Sequence, residues 1–303
     1  KDIEIPNFTE DLRQLILEHA SSQFDWSDIS PTIFGAVFES TLNPETRHSG
    51  GMHYTSIENI HKVIDPLFLD DLKDELNAIK GFKQKSAVEQ KAKQFQTKLA
   101  SLTFFDPACG SGNFLTETYI SLRRLENEAI KLYMGDSVRL DVEELDLVKV
   151  KLNQFYGIEI NDFAVSVAKT ALWIAESQML EATKEIVYAE IDFLPLKSYT
   201  NIVNANALTT DWEEVVDKDK LSYIIGNPPF LGARVMSKAQ KVDLLNVFDG
   251  YKGAGNLDFV SGWYFKSAQL MQGTEIQTAL VSTNSITQGE QASLLWKILI
   301  QDF

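Results

Sequence analysis

The stretch LTFFDPACGSGNF, Leu102–Phe114, decides how this 303-residue chain folds. Leu102 to Phe105 read as a short buried strand, and helix-forming sequence resumes from about Phe114. Between them lie Asp106 and a loop with Gly110 and Gly112. Glycine permits positive φ and lets a ligand approach the backbone, and Cys109 and Ser111 are small for the same steric reason. Taken alone, the glycine pair fits any tight strand-to-helix turn.

The pattern continues on the C-terminal side. QFYGIEI (154–160), TNIVNANAL (200–208), LSYII (221–225) and QTALVST (277–283) read as further strands. DFAVSVAKTALWIAESQM (162–179) and LDFVSGWYFKSAQLM (257–271) read as helices. Such alternation predicts a Rossmann-like α/β domain, a mostly parallel sheet with helices on both faces, preceded by a helical region. Ligands on such sheets bind outside the carboxyl ends of the strands. Before about residue 101 the chain reads as helical. One helix spans 8–30 with Phe24 and Trp26 as anchors, and another starts at Ser30-Pro31. After the turn-rich NPETRHSGGMHYTS come amphipathic helices over 57–79 and 85–102. The expected division is thus 1–100, helical, and 101–303, the sheet domain.

Composition narrows the function. A single cysteine, Cys109, rules out a disulfide framework within the chain and points to a reducing cytosolic compartment. The histidines, His19, His48, His53 and His61, show no zinc-like spacing, and no metal is expected. No apolar run approaches the roughly 20 residues that span a bilayer, and the N-terminus is unlike a signal peptide. It also lacks an initiator Met, so the chain reads as starting inside a longer protein. The net charge of −15 argues, at first sight, against a nucleic-acid partner.

Asp106 ends the first strand where a dinucleotide fold would place a pyrophosphate. A carboxylate there repels phosphate and attracts a cation. S-adenosylmethionine, with an ammonium, a sulfonium and no phosphate, suits it better. Glu159 ends the second strand, where its two oxygens can accept both hydroxyls of a ribose; Ile160 would lie against an adenine face. Glu159 stands far beyond the roughly 20 residues expected of a nicotinamide fingerprint. The intervening DVEELDLVKVKL reads as a helix-like insertion. Asn227, Pro228, Pro229 and Phe230 follow the fourth strand. The Asn227 side-chain oxygen and the Pro228 carbonyl could accept both N–H groups of an exocyclic amine, with the prolines presetting their direction. Phe230 offers a face on which an extruded base could stack. A rigid strand-ending turn is the plain alternative.

DPACGSGNF, GIEI, NANAL and GNPPF, in that order, resemble the γ-class amino-methylating DNA methyltransferases. HYTS upstream, with LDFVSGWYFKSA and ALVSTNSITQGEQ downstream, resembles the flanking motifs of that family. The helical DWSDISPTIFGAVFESTL and the segment beginning NPPFLGARVMSKAQK are similar to single-chain type II restriction-modification proteins. The resemblance implies a class I S-adenosylmethionine-dependent fold and methylation of a flipped base in double-stranded DNA, adenine N6 before cytosine N4. Tyr54 and Thr55 would meet the cofactor's methionine end; Asp106, Ala108, Gly110 and Gly112 would surround its amino acid moiety. Glu159 would hold the ribose, and Ile160, Asn206 and Ala207 the adenine. Asn206 stands where the family commonly has Asp, so the usual charge is missing. Asp258 and Phe259 would lie near the cofactor. A nuclease before the helical connector and a target-recognition domain after the core would belong to the parent chain.

Other readings stay open at this point. A protein-glutamine or RNA-guanine amine poses the same conjugation problem, and a non-catalytic cofactor-binding or specificity module would keep the fold. The acidity objection weakens if a DNA-gripping domain lies elsewhere. Locally, Arg234, Lys238, Lys241, Lys252 and Lys266 form a mild basic excess after the catalytic loop.

Overall fold

The computed structural model describes residues 9–15, 17–18, 29–35, 55–134, 147–187 and 201–303. The chain divides into two compact units, Lys1–Ser30 and Pro31–Phe303. In the first, helix α1 (Glu10–Leu15) buries no residue; most of the helix expected over 8–30 lies outside the described residues, as does the loop 43–54.

In the second unit, five strands form one sheet: β1 (Phe104–Asp106), β2 (Phe155–Glu159), β3 (Ile202–Asn204), β4 (Tyr223–Gly226) and β5 (Gln277–Leu280). Their order is β3-β2-β1-β4-β5, and each described pairing is parallel. The chain steps outward from β1 to β2 to β3, then crosses to the other side of β1 for β4. That reversal opens a crevice at the carboxyl ends of β1 and β4.

Alternating side chains build a core on each face. Phe104 and Ile225 point to one core, Phe105 and Ile224 to the other. Phe104 stacks between Phe155 at 5.3 Å and Tyr223 at 5.4 Å, its register partners on β2 and β4. The first face is covered by α2 (Ile57–Ile64), α3 (Asp70–Lys80), α4 (Lys85–Ser101), α5 (Asn113–Met134) and α6 (Asp162–Val187). The second carries α7 (Lys238–Val247), α8 (Ser261–Met271) and α9 (Gly289–Asp302). Helices α2 to α4, before the change of pattern near residue 101, therefore share a core with the sheet.

Some local expectations are corrected. The helix read over 57–79 is interrupted by a π-turn at Asp65–Leu69, where Pro66 removes a backbone donor. The described end of the helix-like insertion, 147–151, is not helical. Helices α7 and α9 were not anticipated; α7 buries only Leu244, too little to give an apolar stripe.

Candidate active site

The crevice between the β1 and β4 ends is a cleft of about 1020 Å³, counted out to its open mouth. Among the expected residues, Thr55, Asp106, Ala108, Gly110, Glu159, Ile160, Asn206, Ala207, Asn227 and Pro229 line it. Gly112, Pro228 and Phe230 do not, and Tyr54 lies outside the described residues.

The β1 loop closes on itself. Asp106 is 1% exposed, and its Oδ1 accepts from Ala108 N–H at 3.0 Å. Burial pushes its carboxyl up to about 8, with the nearby Glu159 charge adding to the rise. Glu159 accepts from Gly110 N–H at 3.0 Å and from Asn161 N–H at 2.8 Å. Gly110 has φ 54°, and a Cβ there would meet no atom within 4 Å, so its backbone faces open cleft. Gly112 answers a different need: at φ 82°, its missing Cβ lets Ala168 of α6 pack within 2.9 Å of where that atom would be. Cys109 is likewise a packing residue, its sulfur pressed against Gly157 and its thiol pushed up by burial. Trp263, buried in the second core, donates its indole N–H to the Pro107 carbonyl at 3.0 Å and lines the cleft.

The β4 turn is built differently. Gly226, at φ 152°, has no room for a side chain, because a Cβ would collide with the Asp106 carboxylate. Asn227 donates from Nδ2 to Thr55 Oγ1 at 3.0 Å. Its Oδ1 is shielded from solvent and accepts no hydrogen bond among the described residues. Pro228 is buried, and Phe230 is half-buried against the second core rather than facing the cleft. Asp258 sits outside the cleft and acts as a clasp. It accepts from Ala233 N–H at 3.2 Å, Ser285 Oγ at 2.7 Å and Gln291 Nε2 at 2.9 Å. Phe259 lines the cleft and donates its N–H to the Leu231 carbonyl at 2.8 Å.

Beyond β3, the Asn206 carboxamide is engaged at both ends: Oδ1 accepts from Leu208 N–H at 3.0 Å, and Nδ2 donates to Asp243 Oδ2 at 2.9 Å. Gln240 and Asp243 of α7 also line the cleft. Of the basic cluster, Arg234, Lys238, Lys241 and Lys252 are exposed. Lys266 is withdrawn, because it donates to the Thr210 carbonyl and lies 5.2 Å over the Trp212 ring. Burial lowers its ammonium to about 8.

A five-stranded parallel sheet with this order, carrying its cleft at the β1 and β4 ends, is the class I methyltransferase fold. Residues 82–302 match the model of the MmeI DNA-methyltransferase domain, and the chain belongs to that family. It is 42% identical over 298 residues to DNA methyltransferase A of Bacillus subtilis (strain 168), covering 97% of this chain and 32% of that protein. A putative type II restriction enzyme and methyltransferase of Methanocaldococcus jannaschii is 26% identical, over 74% of this chain and 20% of that protein. Among solved structures, the type IIL restriction-modification enzyme MmeI in complex with DNA superposes with a TM-score of 0.86 at 44% identity, over 97% of this chain and 38% of that one. A DrdV–DNA complex shares the fold alone, with a TM-score of 0.53 at 16% identity, over 97% of this chain and 28% of that one. The chain thus spans about a third of the length of its first relatives. No helix among the described residues is long and apolar enough to cross a membrane.

Proposed function

We propose that this chain is the catalytic core of an S-adenosylmethionine-dependent DNA methyltransferase, acting on the exocyclic amine of a flipped base, adenine N6 first, within a larger cytosolic restriction-modification protein. One observation carries the reading: Asn227 Oδ1, shielded and without a hydrogen-bond partner among the described residues, belongs to a side chain that lines the same cleft as Asp106, Gly110 and Glu159. An acceptor left unsatisfied in such a place is costly unless an incoming group completes it. An exocyclic N–H donor does so.

The residues present fit the cofactor. Asp106 and the Ala108–Gly110 segment would hold its ammonium and carboxylate end, Glu159 its ribose hydroxyls, and Ile160 and Ala207 the adenine faces. Ile160 is 66% exposed, as an apolar contact awaiting a ring would be. When bound, the cofactor supplies an electrophilic methyl group on a sulfonium. The chain's own task is to make the amine a nucleophile, since its lone pair is conjugated into the base. Asn227 Oδ1 accepts one N–H, the Pro228 carbonyl the other, and together they draw the nitrogen towards tetrahedral geometry and take up its developing charge. Thr55 fixes the amide by accepting from Nδ2, and the paired prolines keep the turn from rearranging.

In this reading the helical residues 1–100 lie between a nuclease and the catalytic strands, with α2 to α4 packed onto the sheet, and a target-recognition domain completes the grip on double-stranded DNA. The exposed Arg234, Lys238, Lys241 and Lys252 add a salt-sensitive contribution. Family membership favours DNA over a protein or RNA amine. The test is transfer of labelled methyl groups by the intact protein to duplex DNA, structured RNA or a glutamine-bearing release factor. Label appearing on adenine of DNA alone supports the reading; transfer only to RNA or protein, or none at all, refutes it.

A further inference from the structure

Resting on that reading, we infer that Asp243, rather than Asn206, reads the 6-amino group of the cofactor's adenine, so that the segment following the catalytic turn helps to hold the cofactor. The candidate cofactor contacts run along the ends of β1 (Asp106) and β2 (Glu159) to the residues just after β3 (Ala205–Ala207). Strand β4, with Asn227, lies on the opposite side of β1. With neighbouring strands about 4.8 Å apart, β3 and β4 are separated by roughly 14 Å. Yet after leaving β4 the chain returns, and α7 brings Gln240 and Asp243 to the same cleft wall as Asn206.

The hydrogen bonds assign the roles. An adenine 6-amino group offers donors and needs an acceptor. Asn206 Oδ1 already accepts from Leu208 N–H, and its Nδ2 is a donor directed at Asp243. Asp243 can only accept when ionised. It is half-buried, and Oδ2 takes the Asn206 amide, while among the described residues Oδ1 accepts no hydrogen bond. The charge that the sequence lacks at position 206 is thus supplied from position 243, with Asn206 holding it in place. Gln240 is itself fixed, its side chain accepting from Ser237 N–H at 2.9 Å in a capping box that starts α7.

The test is calorimetric titration of the intact protein with S-adenosylhomocysteine and with its 6-oxo counterpart, S-inosylhomocysteine. Wild type should prefer the 6-amino ligand by about 10–100-fold, the size of one charge-assisted hydrogen bond. Asp243→Asn should shrink that preference to about threefold or less, because an amide can accept from the amine or donate to the oxo group. Asn206→Ala should lower it only partly. Hydrogen exchange over 231–248 should slow when S-adenosylhomocysteine binds wild type and change little in Asp243→Ala. A full preference surviving in Asp243→Asn, or its loss in Asn206→Ala alone, would overturn the assignment while leaving the cofactor reading intact. Binding of neither ligand by wild type would overturn the cofactor reading and this inference with it.

Discussion

Strands β1 and β4 are neighbours in the sheet and end at the same cleft, but the turns that leave them share no chemistry. The β1 turn is rich in glycine and its backbone donors are engaged: Ala108 N–H is bonded to Asp106, and Gly110 N–H to Glu159. The β4 turn contains two prolines, which donate nothing, and it holds Asn227 Oδ1 at the cleft, shielded from solvent and accepting no hydrogen bond among the described residues. Where the first turn meets a ligand, existing bonds can be shared or exchanged. The second cannot adapt, so the incoming group must complete it. Gly226 ties the two together, since only a residue without Cβ lets β4 pass the Asp106 carboxylate. In the proposed function, cofactor binding falls to the glycine turn and catalysis to the proline turn, and each can be perturbed separately.

The strongest way to split them is Asn227→Ala. Methyl transfer to DNA should fall by about a thousandfold or more, the scale of losing a preorganised charge-stabilising group, with S-adenosylhomocysteine affinity within a few-fold of wild type. Parallel loss of affinity in calorimetry would mean that the turn supports the fold rather than the reaction. Asp106→Ala is the converse. Affinity should drop by about 10–100-fold as one charge-assisted contact is removed, and an unchanged isotherm would remove Asp106 from the site. Thr55→Val probes the link between the two. It should lower kcat by about tenfold through a misplaced Asn227 amide and be rescued by Thr55→Ser; a change confined to KM would contradict this.

The mildest probe is pH. Asp106 titrates near 8 in the folded chain and in the ordinary carboxylate range when unfolded. Between those values the native state keeps a proton that the unfolded chain has released. Stability therefore declines as pH rises through this window and levels off above about 8. A cationic ligand favours the ionised form, so S-adenosylmethionine binding near neutrality should expel a proton. Titration in buffers of different ionisation enthalpy would detect it. In Asp106→Asn both the proton release and this part of the stability slope should vanish; their persistence would assign them to another group.

Much of this was readable in advance because it is local. The five strands, the glycine loop and the Asn-Pro-Pro turn depend on short apolar runs broken by residues with special backbones. Most of the expected cofactor residues line the cleft for the same reason: apart from Thr55 they end a strand or lie in the loop just after one, and a parallel sheet brings those ends together. The exceptions are instructive. Gly112 looked like a ligand contact but makes room for Ala168, because a glycine's reason lies in whatever packs against it. Phe230 reads as a stacking platform yet rests on the second core, where burial of its ring competes with exposure. Lys266 belonged to a basic cluster only by position in the chain; folded, it lies beside Trp212 and leaves that surface.

By itself, the order of residues determined which segments become strands, which turns carry a carboxylate or a rigid amide, and that these turns gather at one sheet edge. Only the tertiary structure joined Thr55 to Asn227, Trp263 to the β1 loop and Asp243 to Asn206. Backbone periodicity and turn chemistry act over a few neighbouring residues and are written in the chain. A hydrogen bond between side chains far apart in sequence depends on how whole elements pack, and no local pattern encodes it.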